Sequence, residues 1–181
     1  MELTLRNGIP INTRLLQNTD VQNLFNYVFS LSVETKSRFG PHLFNRETIE
    51  QICNNKDDVM RYVAIDESTA NIVGYMLFKQ GMIYWDDKRY AERNQYFNYS
   101  TTVTYAPSVA DAFQSSGLGS VMYNEIEKEL RTKGIKHIVL WGGVQATNER
   151  AVNFYKKFGY ELYGSFWHDE KDNLDMVKEL M

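Results

Sequence analysis

The stretch Gln114-Ser115-Ser116-Gly117-Leu118-Gly119 follows a predicted strand and opens a predicted amphipathic helix. Its two glycines let the backbone turn sharply and come close to a ligand. The first N–H groups of a helix have no partner within the helix and lie at the positive end of its dipole. The stretch is therefore a candidate binding site for an anion such as a diphosphate. Taken alone, it equally allows a plain helix start.

The composition is that of one ordinary globular domain. The chain has 181 residues, of which 43% are hydrophobic and 24% are charged, so we expect a single domain over residues 1–181. The net charge of -3 implies no basic face, and we expect no nucleic-acid partner. Three histidines and one cysteine, Cys53, suggest neither a metal-ligand cluster nor an internal disulfide.

Neither a leader nor a membrane-spanning segment is predicted. The segment Met1–Arg6 lacks a cationic stretch followed by an apolar run. No apolar stretch is long enough to cross a bilayer. We therefore expect a cytoplasmic protein with no membrane partner.

Alternating and β-branched residues predict six to seven strands. They cover Ile9–Leu16, Tyr62–Ile65, Ile72–Phe78, Tyr96–Val109, His137–Trp141, Leu162–Trp167 and Leu174–Leu180. A turn cluster joins the second and third strands into a hairpin, and another joins the last two. Pro107 has no N–H to donate, so we expect one side of its strand to be unpaired there.

Apolar residues three and four apart predict four helices. The first helix is capped by Thr19 and ends near Ser30. The other three cover Glu47–Cys53, the residues from Leu118 to just before Gly134, and Asn148–Phe158. Residues 30–45 and 82–97 are expected to form irregular loops. The order of the elements predicts an α/β (α+β) fold, with a mixed, mostly antiparallel central sheet and helices on both faces.

Two segments resemble the GNAT superfamily of acyl-CoA-dependent N-acetyltransferases. Residues 109–119 match the family's acetyl-CoA signature, Gln/Arg-x-x-Gly-x-Gly/Ala after a strand that ends in valine. Residues 148–160 match its Asn-x-x-Ala-x-x-x-Tyr-x-x-x-Gly-Phe helix, with tyrosine in place of the last phenylalanine. The two segments occur in the family's order and spacing, so the resemblance extends to essentially the whole chain.

The resemblance implies roles for particular residues. The backbone of Pro107, Ser108 and Val109 would pair with the pantetheine arm of acetyl-CoA like one more strand. Asn148 would contact the same co-substrate near its pantetheine end, and Tyr155 would act as general acid toward the leaving thiolate. The diphosphate would be held at Gln114, Ser115, Ser116, Gly117, Leu118, Gly119 and Ser120, mainly by backbone N–H groups.

Plainer interpretations of three of these residues remain open. Gln114 could be a solvated residue at the helix entry. Asn148 could be only a helix N-cap, a position that asparagine favours. Tyr155 could be a core aromatic residue with a tethered hydroxyl. No metal is implied.

The general base is not assigned by the sequence. Some family members carry a glutamate on the strand before the asparagine helix, where this chain has Gly142-Gly143. These glycines could open room for a bulky acceptor or let two backbone segments approach each other. Base candidates elsewhere are Glu34, His42, Asp86 and Asp111, and for each a surface charge or loop contact is the alternative.

The activity that the resemblance implies is direct transfer of an acetyl group to a primary amine in a ternary complex. A small-molecule amine is the leading acceptor, such as an amino sugar, a polyamine or an amino acid. A protein N-terminus or lysine is the alternative acceptor. Two further alternatives are a non-catalytic acyl-CoA-binding module and a structural interaction protein. The family is often dimeric, which leaves a homodimer open.

Overall fold

A computed structural model describes residues 2–5, 7–54 and 57–180. The chain divides into two compact units. Unit 1 comprises Met1–Leu77 and Ala106–Lys128, and unit 2 comprises Phe78–Tyr105 and Glu129–Met181. The single domain expected over residues 1–181 stays a prediction. In the described part of the chain, no helix combines the length and the apolar character that crossing a membrane requires.

Nine strands and six helices occur in the described residues. The strands are β1 (Glu2–Thr4), β2 (Pro10–Leu15), β3 (Val59–Asp66), β4 (Asn71–Gln80), β5 (Thr102–Val109), β6 (His137–Leu140), β7 (Val144–Gln145), β8 (Glu161–His168) and β9 (Lys171–Glu179). The helices are α1 (Val21–Ser30), α2 (Val33–Ser37), α3 (Arg46–Asn54), α4 (Tyr84–Ala91), α5 (Leu118–Thr132) and α6 (Glu149–Lys157). The predicted mixed α/β fold with a mostly antiparallel sheet is confirmed.

Several local predictions were wrong. The segments 30–45 and 82–97 are not wholly irregular, because they contain α2 and α4. The strand predicted from Tyr96 begins only at Thr102, after a 3-10 turn. Thr19 is not a helix cap. It lies inside a 3-10 turn, where the Asp20 carboxylate accepts the Gln17 N–H at 2.8 Å.

In unit 1, the strand order is β1-β2-β3-β4-β5. Tyr75 on β4 faces α1, with its ring centroid 6.5 Å from that of Tyr27. Its neighbour Gly74 faces α5, because a methyl group added at Gly74 would lie 2.8 Å from the Met122 sulfur. Successive strand residues point to opposite faces. Helices α1 and α5 therefore cover opposite faces of this part of the sheet, as the sequence predicts.

In unit 2, β4, β5 and β6 are neighbours in the sheet, and β6 pairs with β9. One edge of β9 pairs with β6 and, further along, with β7, and its other edge pairs with β8. Strands β5 and β6 are parallel, with a register that runs from Thr102 opposite His137 to Tyr105 opposite Leu140. Tyr90 of α4 packs into a buried cluster with Val139 and Val177. The β8–β9 ladder contains a bulge between Leu162 and Gly164.

Candidate functional site

The segment between β5 and α5 lies wholly in unit 1. The Ala110 N–H donates to the Val73 carbonyl at 2.9 Å, which fixes the end of β5 beside β4. A 3-10 turn then covers Asp111–Phe113, and α5 begins at Leu118. Between them, Ser115 and Gly117 have positive φ angles of 63° and 92°. Glycine adopts this left-handed conformation without strain, which explains the residue type at position 117.

Four amides at this turn have no hydrogen-bond partner among the described residues: those of Ser115, Gly117, Gly119 and Ser120. The Leu118 N–H, in contrast, donates a hydrogen bond to the Ser116 hydroxyl oxygen at 3.3 Å. A methyl group added at Gly117 would have nothing within 4 Å, so the space beside this residue is open. Unpartnered N–H groups at the positive end of a 15-residue helix fit a bound diphosphate.

Gln114 is not a solvated residue at the helix entry. Its half-buried side-chain amide donates to the Thr35 hydroxyl at 3.1 Å, to the Asp111 carboxylate at 3.2 Å and to the Val109 carbonyl at 3.4 Å. The side chain therefore holds the turn in place, and its amide is occupied by these three contacts.

The predicted pantetheine strand, Pro107 to Val109, lies beyond the last register pair of β5 with β6, which is at Tyr105. The buried Ser108 hydroxyl is hydrogen-bonded to the Tyr27 hydroxyl at 2.8 Å. This bond anchors the end of β5 to α1. Pairing of the backbone of residues 107–109 with a pantetheine arm stays a prediction.

In unit 2, Asn148 caps α6. Its side-chain oxygen accepts the Ala151 N–H at 3.3 Å. Asn148 is therefore the N-cap of α6, and its side-chain NH₂ group makes no hydrogen bond with the described residues. Contact with a co-substrate stays a prediction for this residue.

Tyr155 lies about two turns further along α6 and is 6% exposed. Its ring packs edge-on against Tyr105, with centroids 6.4 Å apart, and against Tyr160 at 5.2 Å. None of the described residues hydrogen-bonds its hydroxyl, so the ring is part of the core but the hydroxyl is not tethered. Burial raises the pKa of Tyr155. The group therefore keeps its proton at neutral pH and can donate it.

The Gly142-Gly143 pair turns the chain at the end of β6, with φ angles of 66° and 69°. A methyl group added at Gly143 would lie 2.7 Å from the Leu174 carbonyl oxygen and 2.9 Å from the Phe166 ring. A methyl group added at Gly142 would meet nothing within 4 Å. Gly143 therefore serves the close approach of two backbone segments, while Gly142 borders open space.

Asp86 is part of a buried ion network in unit 2. One carboxylate oxygen accepts the Gly142 N–H at 2.9 Å, and the other accepts a bond from Arg89 at 2.7 Å. Arg89 also forms a two-pronged pair with Asp175, which is fully buried and binds Arg93 at 2.6 Å as well. Burial raises the pKa of Asp86 despite the bonds from Gly142 and Arg89. Asp86 is enclosed and occupied, so it has a structural role.

The sequence alone does not indicate that Arg89, Arg93 and Asp175 are partners. The available signal was local: Asp86 and Arg89 are three residues apart, which places them on one face of a helix. That spacing is informative only if the two residues lie on a helix, and the sequence did not predict helix α4.

The other base candidates differ in what their side chains contact. Glu34 is exposed and pairs with Arg38 at 2.6 Å. The Asp111 carboxylate accepts several bonds from the start of α2. His42 is bonded through Nδ1 to the Leu43 carbonyl at 3.0 Å.

The tautomer of His42 follows from that bond. A carbonyl oxygen only accepts, so Nδ1 carries the proton and Nε2 is an acceptor. Nε2 is buried without a partner among the described residues. Burial lowers the pKa of His42, with a further contribution from the Arg61 charge. The imidazole is therefore neutral at pH 7, with an unused lone pair enclosed among the rings of Phe39, Phe44 and Tyr75.

Comparison with known proteins is consistent with these features. The model of the Acetyltransferase (GNAT) family matches residues 25–160. The fold is similar to that of the GNAT domain of S. lividans PAT, with 18% identity and a TM-score of 0.77 over 99% of this chain and 96% of that chain. It is also similar to the ribosomal-protein-S5-alanine acetyltransferase from Vibrio fischeri, with 13% identity and a TM-score of 0.74 over 99% of this chain and 96% of that one.

A third similar structure is Arabidopsis thaliana NAA60 in complex with acetyl-CoA, with 16% identity and a TM-score of 0.67 over 94% of this chain and 98% of that chain. At these identities the structural likeness shows the fold alone. The family match covers most of the chain and includes both motifs. The chain therefore belongs to the GNAT family of acetyltransferases.

Proposed function

We propose that this protein transfers an acetyl group from acetyl-CoA directly to the primary amine of a small molecule. The observation that carries the proposal is the set of four amides without a partner among the described residues, at Ser115, Gly117, Gly119 and Ser120, where α5 begins. A helix start with free N–H groups binds phosphate groups. Acetyl-CoA carries a diphosphate, and NAA60, which shares the fold, has been solved in complex with acetyl-CoA.

In the proposed reaction, an amine that has lost its extra proton attacks the thioester carbonyl carbon. A C–N bond forms, the attacking nitrogen releases one proton to solvent, the C–S bond breaks, and the thiolate leaves. Backbone N–H groups near Val109 would stabilise the oxyanion that forms on the carbonyl oxygen. Most of the acceleration would come from holding the amine and the thioester together, because a thiolate already leaves readily.

Tyr155 would protonate the departing thiolate. Two properties support this role: the residue occupies the motif position, and its hydroxyl is not tethered by the described residues. A protonated phenol that makes no competing bond is able to donate to a sulfur anion.

A protein N-terminus is the second candidate acceptor. One structure with the same fold is named as an acetyltransferase of a ribosomal-protein alanine. A panel of small amines and of short peptides with free N-termini, tested for thiol release from acetyl-CoA, distinguishes the two acceptor classes.

Binding of coenzyme A tests the site itself. Gly117→Ala and Gly134→Ala are a matched pair, because both glycines flank α5, have positive φ angles and border open space. We expect Gly117→Ala to weaken coenzyme A binding about tenfold, since a shift of one or two N–H groups is equivalent to about 1.4 kcal/mol. Gly134→Ala should bind coenzyme A like the wild type, while it loses about as much unfolding free energy as Gly117→Ala.

Two results would contradict the proposal at different levels. Folded wild-type protein that shows no coenzyme A binding in calorimetry would exclude the diphosphate site. Tight binding without thiol release for any amine or peptide would instead indicate a non-catalytic acyl-CoA-binding module.

A further inference from the structure

Helix α2 is a short element without an apolar anchor of its own. It has five residues, none of them buried, and Val33 is 85% exposed. A helix of this length is not stable in isolation, because one turn fixes several residues for few hydrogen bonds. Its flanking residues Leu31 and Phe39 are buried, but the helical turn itself needs polar contacts to keep its conformation.

Asp111 supplies those contacts from the 3-10 turn after β5. Its Oδ2 accepts the Ser32 N–H at 2.8 Å, and its Oδ1 accepts the Ser32 hydroxyl at 2.9 Å and the Thr35 hydroxyl at 2.6 Å. Ser32 is the N-cap of α2, since its hydroxyl also accepts the Thr35 N–H at 3.1 Å. One carboxylate thus supports the N-cap residue and the first turn of α2 together.

Partial burial would raise the pKa of Asp111, but the bonds from Thr35 and Ser32 outweigh it and bring the pKa below its usual value. The carboxylate is therefore charged at neutral pH and accepts these bonds at full strength.

Gln114 connects the same cluster to the end of β5. Its amide donates both to Thr35 and to Asp111, and weakly to the Val109 carbonyl. Asp111 and Gln114 belong to the segment that continues, three residues after Gln114, to the open amide of Gly117. The conformation of this segment therefore governs both α2 and the amides of the diphosphate site.

We propose that Asp111 is a positioning residue that couples coenzyme A binding to the order of α2. The inference rests on the proposed function, because it takes the free amides as the diphosphate site. A bound diphosphate fixes the segment 111–120, which in turn holds the Asp111 carboxylate against Ser32 and Thr35. Coupling of this kind is reciprocal, so ordering of α2 also favours coenzyme A binding. The sequence leads us to expect the acceptor pocket at residues 30–45 and 82–97, so an ordered α2 would also favour binding of the amine.

Hydrogen exchange tests the coupling directly. In the wild type, saturating coenzyme A should slow amide exchange at residues 33–38 about tenfold, within the usual range of coupling between sites, and should also slow exchange at Gly117, Gly119 and Ser120. In Asp111→Asn, one accepting oxygen is replaced by an NH₂ group that faces donors. We expect the protection at Gly117, Gly119 and Ser120 to remain and the protection at residues 33–38 to be lost.

The controls separate coupling from general damage. Glu34→Gln breaks only the exposed pair with Arg38 and should leave the protection of α2 unchanged. Thr35→Ser keeps the hydroxyl that Asp111 binds and should retain the coupling, whereas Thr35→Val should lose it. If Asp111→Asn does not fold, the two Thr35 variants decide the question. Kinetically, Asp111→Asn should raise the KM for the amine more than it lowers kcat.

The outcomes distinguish the two proposals. Absence of coenzyme A binding by the folded wild type overturns the proposed function, and the coupling with it. Binding that protects Gly117, Gly119 and Ser120 but not residues 33–38 overturns the coupling alone. Equal protection of α2 by coenzyme A in the wild type and in Asp111→Asn also overturns the coupling alone.

Discussion

Gly142 and Gly143 provide a test of why the chain has two glycines after β6. Both have left-handed φ angles, 66° and 69°. They differ in their surroundings, because only at Gly143 would a methyl group collide with the Leu174 carbonyl oxygen and the Phe166 ring. We predict that Gly143→Ala destabilises the protein clearly more than Gly142→Ala.

The size of the difference follows from two contributions. The left-handed conformation costs a non-glycine residue about 1–2 kcal/mol, and this applies to both variants. Overpacking adds about 1–3 kcal/mol at Gly143 only. The Leu174 contact involves backbone, at 2.7 Å. Phe166 is held by Arg89, whose guanidinium carbon lies 3.6 Å from the ring centroid, so neither neighbour can yield easily.

Thermal and denaturant unfolding measure this difference. About 1–3 kcal/mol between the two variants corresponds to a melting temperature that is lower by about 2–12 °C for Gly143→Ala, at about 2–4 °C per kcal/mol for a protein of this size. The smaller unfolded-state entropy of alanine affects both variants equally and cancels. Equal melting temperatures, or a lower one for Gly142→Ala, would refute the argument from close approach.

Three further predictions concern single side chains. Tyr155→Phe should lower the turnover rate with little change in coenzyme A affinity, and unchanged turnover with chemistry rate-limiting would remove Tyr155 from the mechanism. Asp175→Ala should cost about 3–5 kcal/mol in unfolding free energy, because it leaves Arg89 and Arg93 without their buried partner; a loss below 1 kcal/mol would contradict this. The lowered pKa of His42 means that the unfolded chain binds a proton there more readily than the folded one. Stability from this group should be complete above about pH 6.5 and fall toward lower pH, and His42→Phe should flatten the pH dependence of unfolding in that range relative to wild type.

The elements that the sequence predicted well have strong local signals. Helix α5 has a regular apolar face, and α6 has an asparagine cap at one end and Gly159 at the other, with a φ of 81°. These signals need no knowledge of distant residues. The segment Ser115–Ser120 stands out in the sequence for the same reason, since helix geometry leaves the first amides of a helix without intrahelical partners.

The elements that the sequence missed depend on distant contacts. Helix α4 buries Asp86 and Tyr90, so its inward face carries a charge and does not follow the apolar pattern. Helix α2 buries no residue at all and is held by Asp111, 79 positions after Ser32. Strands β1 and β7 have three and two residues, which is too short for alternation to be visible.

The candidate site shows the same contrast between local signals and distant contacts. The motifs located the backbone groups, but not the side chains that hold them. Nothing near Gln114 in the sequence indicates its bond to Thr35, and nothing near Gly142 indicates Asp86. Only local spacing can be read from one sequence.

The bulge in β8 has a consequence for solubility. Within the described residues, β8 pairs with β9 alone, and an open strand edge invites pairing with other chains. Here the register shift next to Gly164 interrupts the regular row of backbone groups. The Arg93 side chain donates to the Ser165 carbonyl at 2.8 Å and places a charged group on the strand. Removing this guanidinium would free a carbonyl for a foreign strand, so we expect Arg93→Ala to aggregate more readily than the wild type.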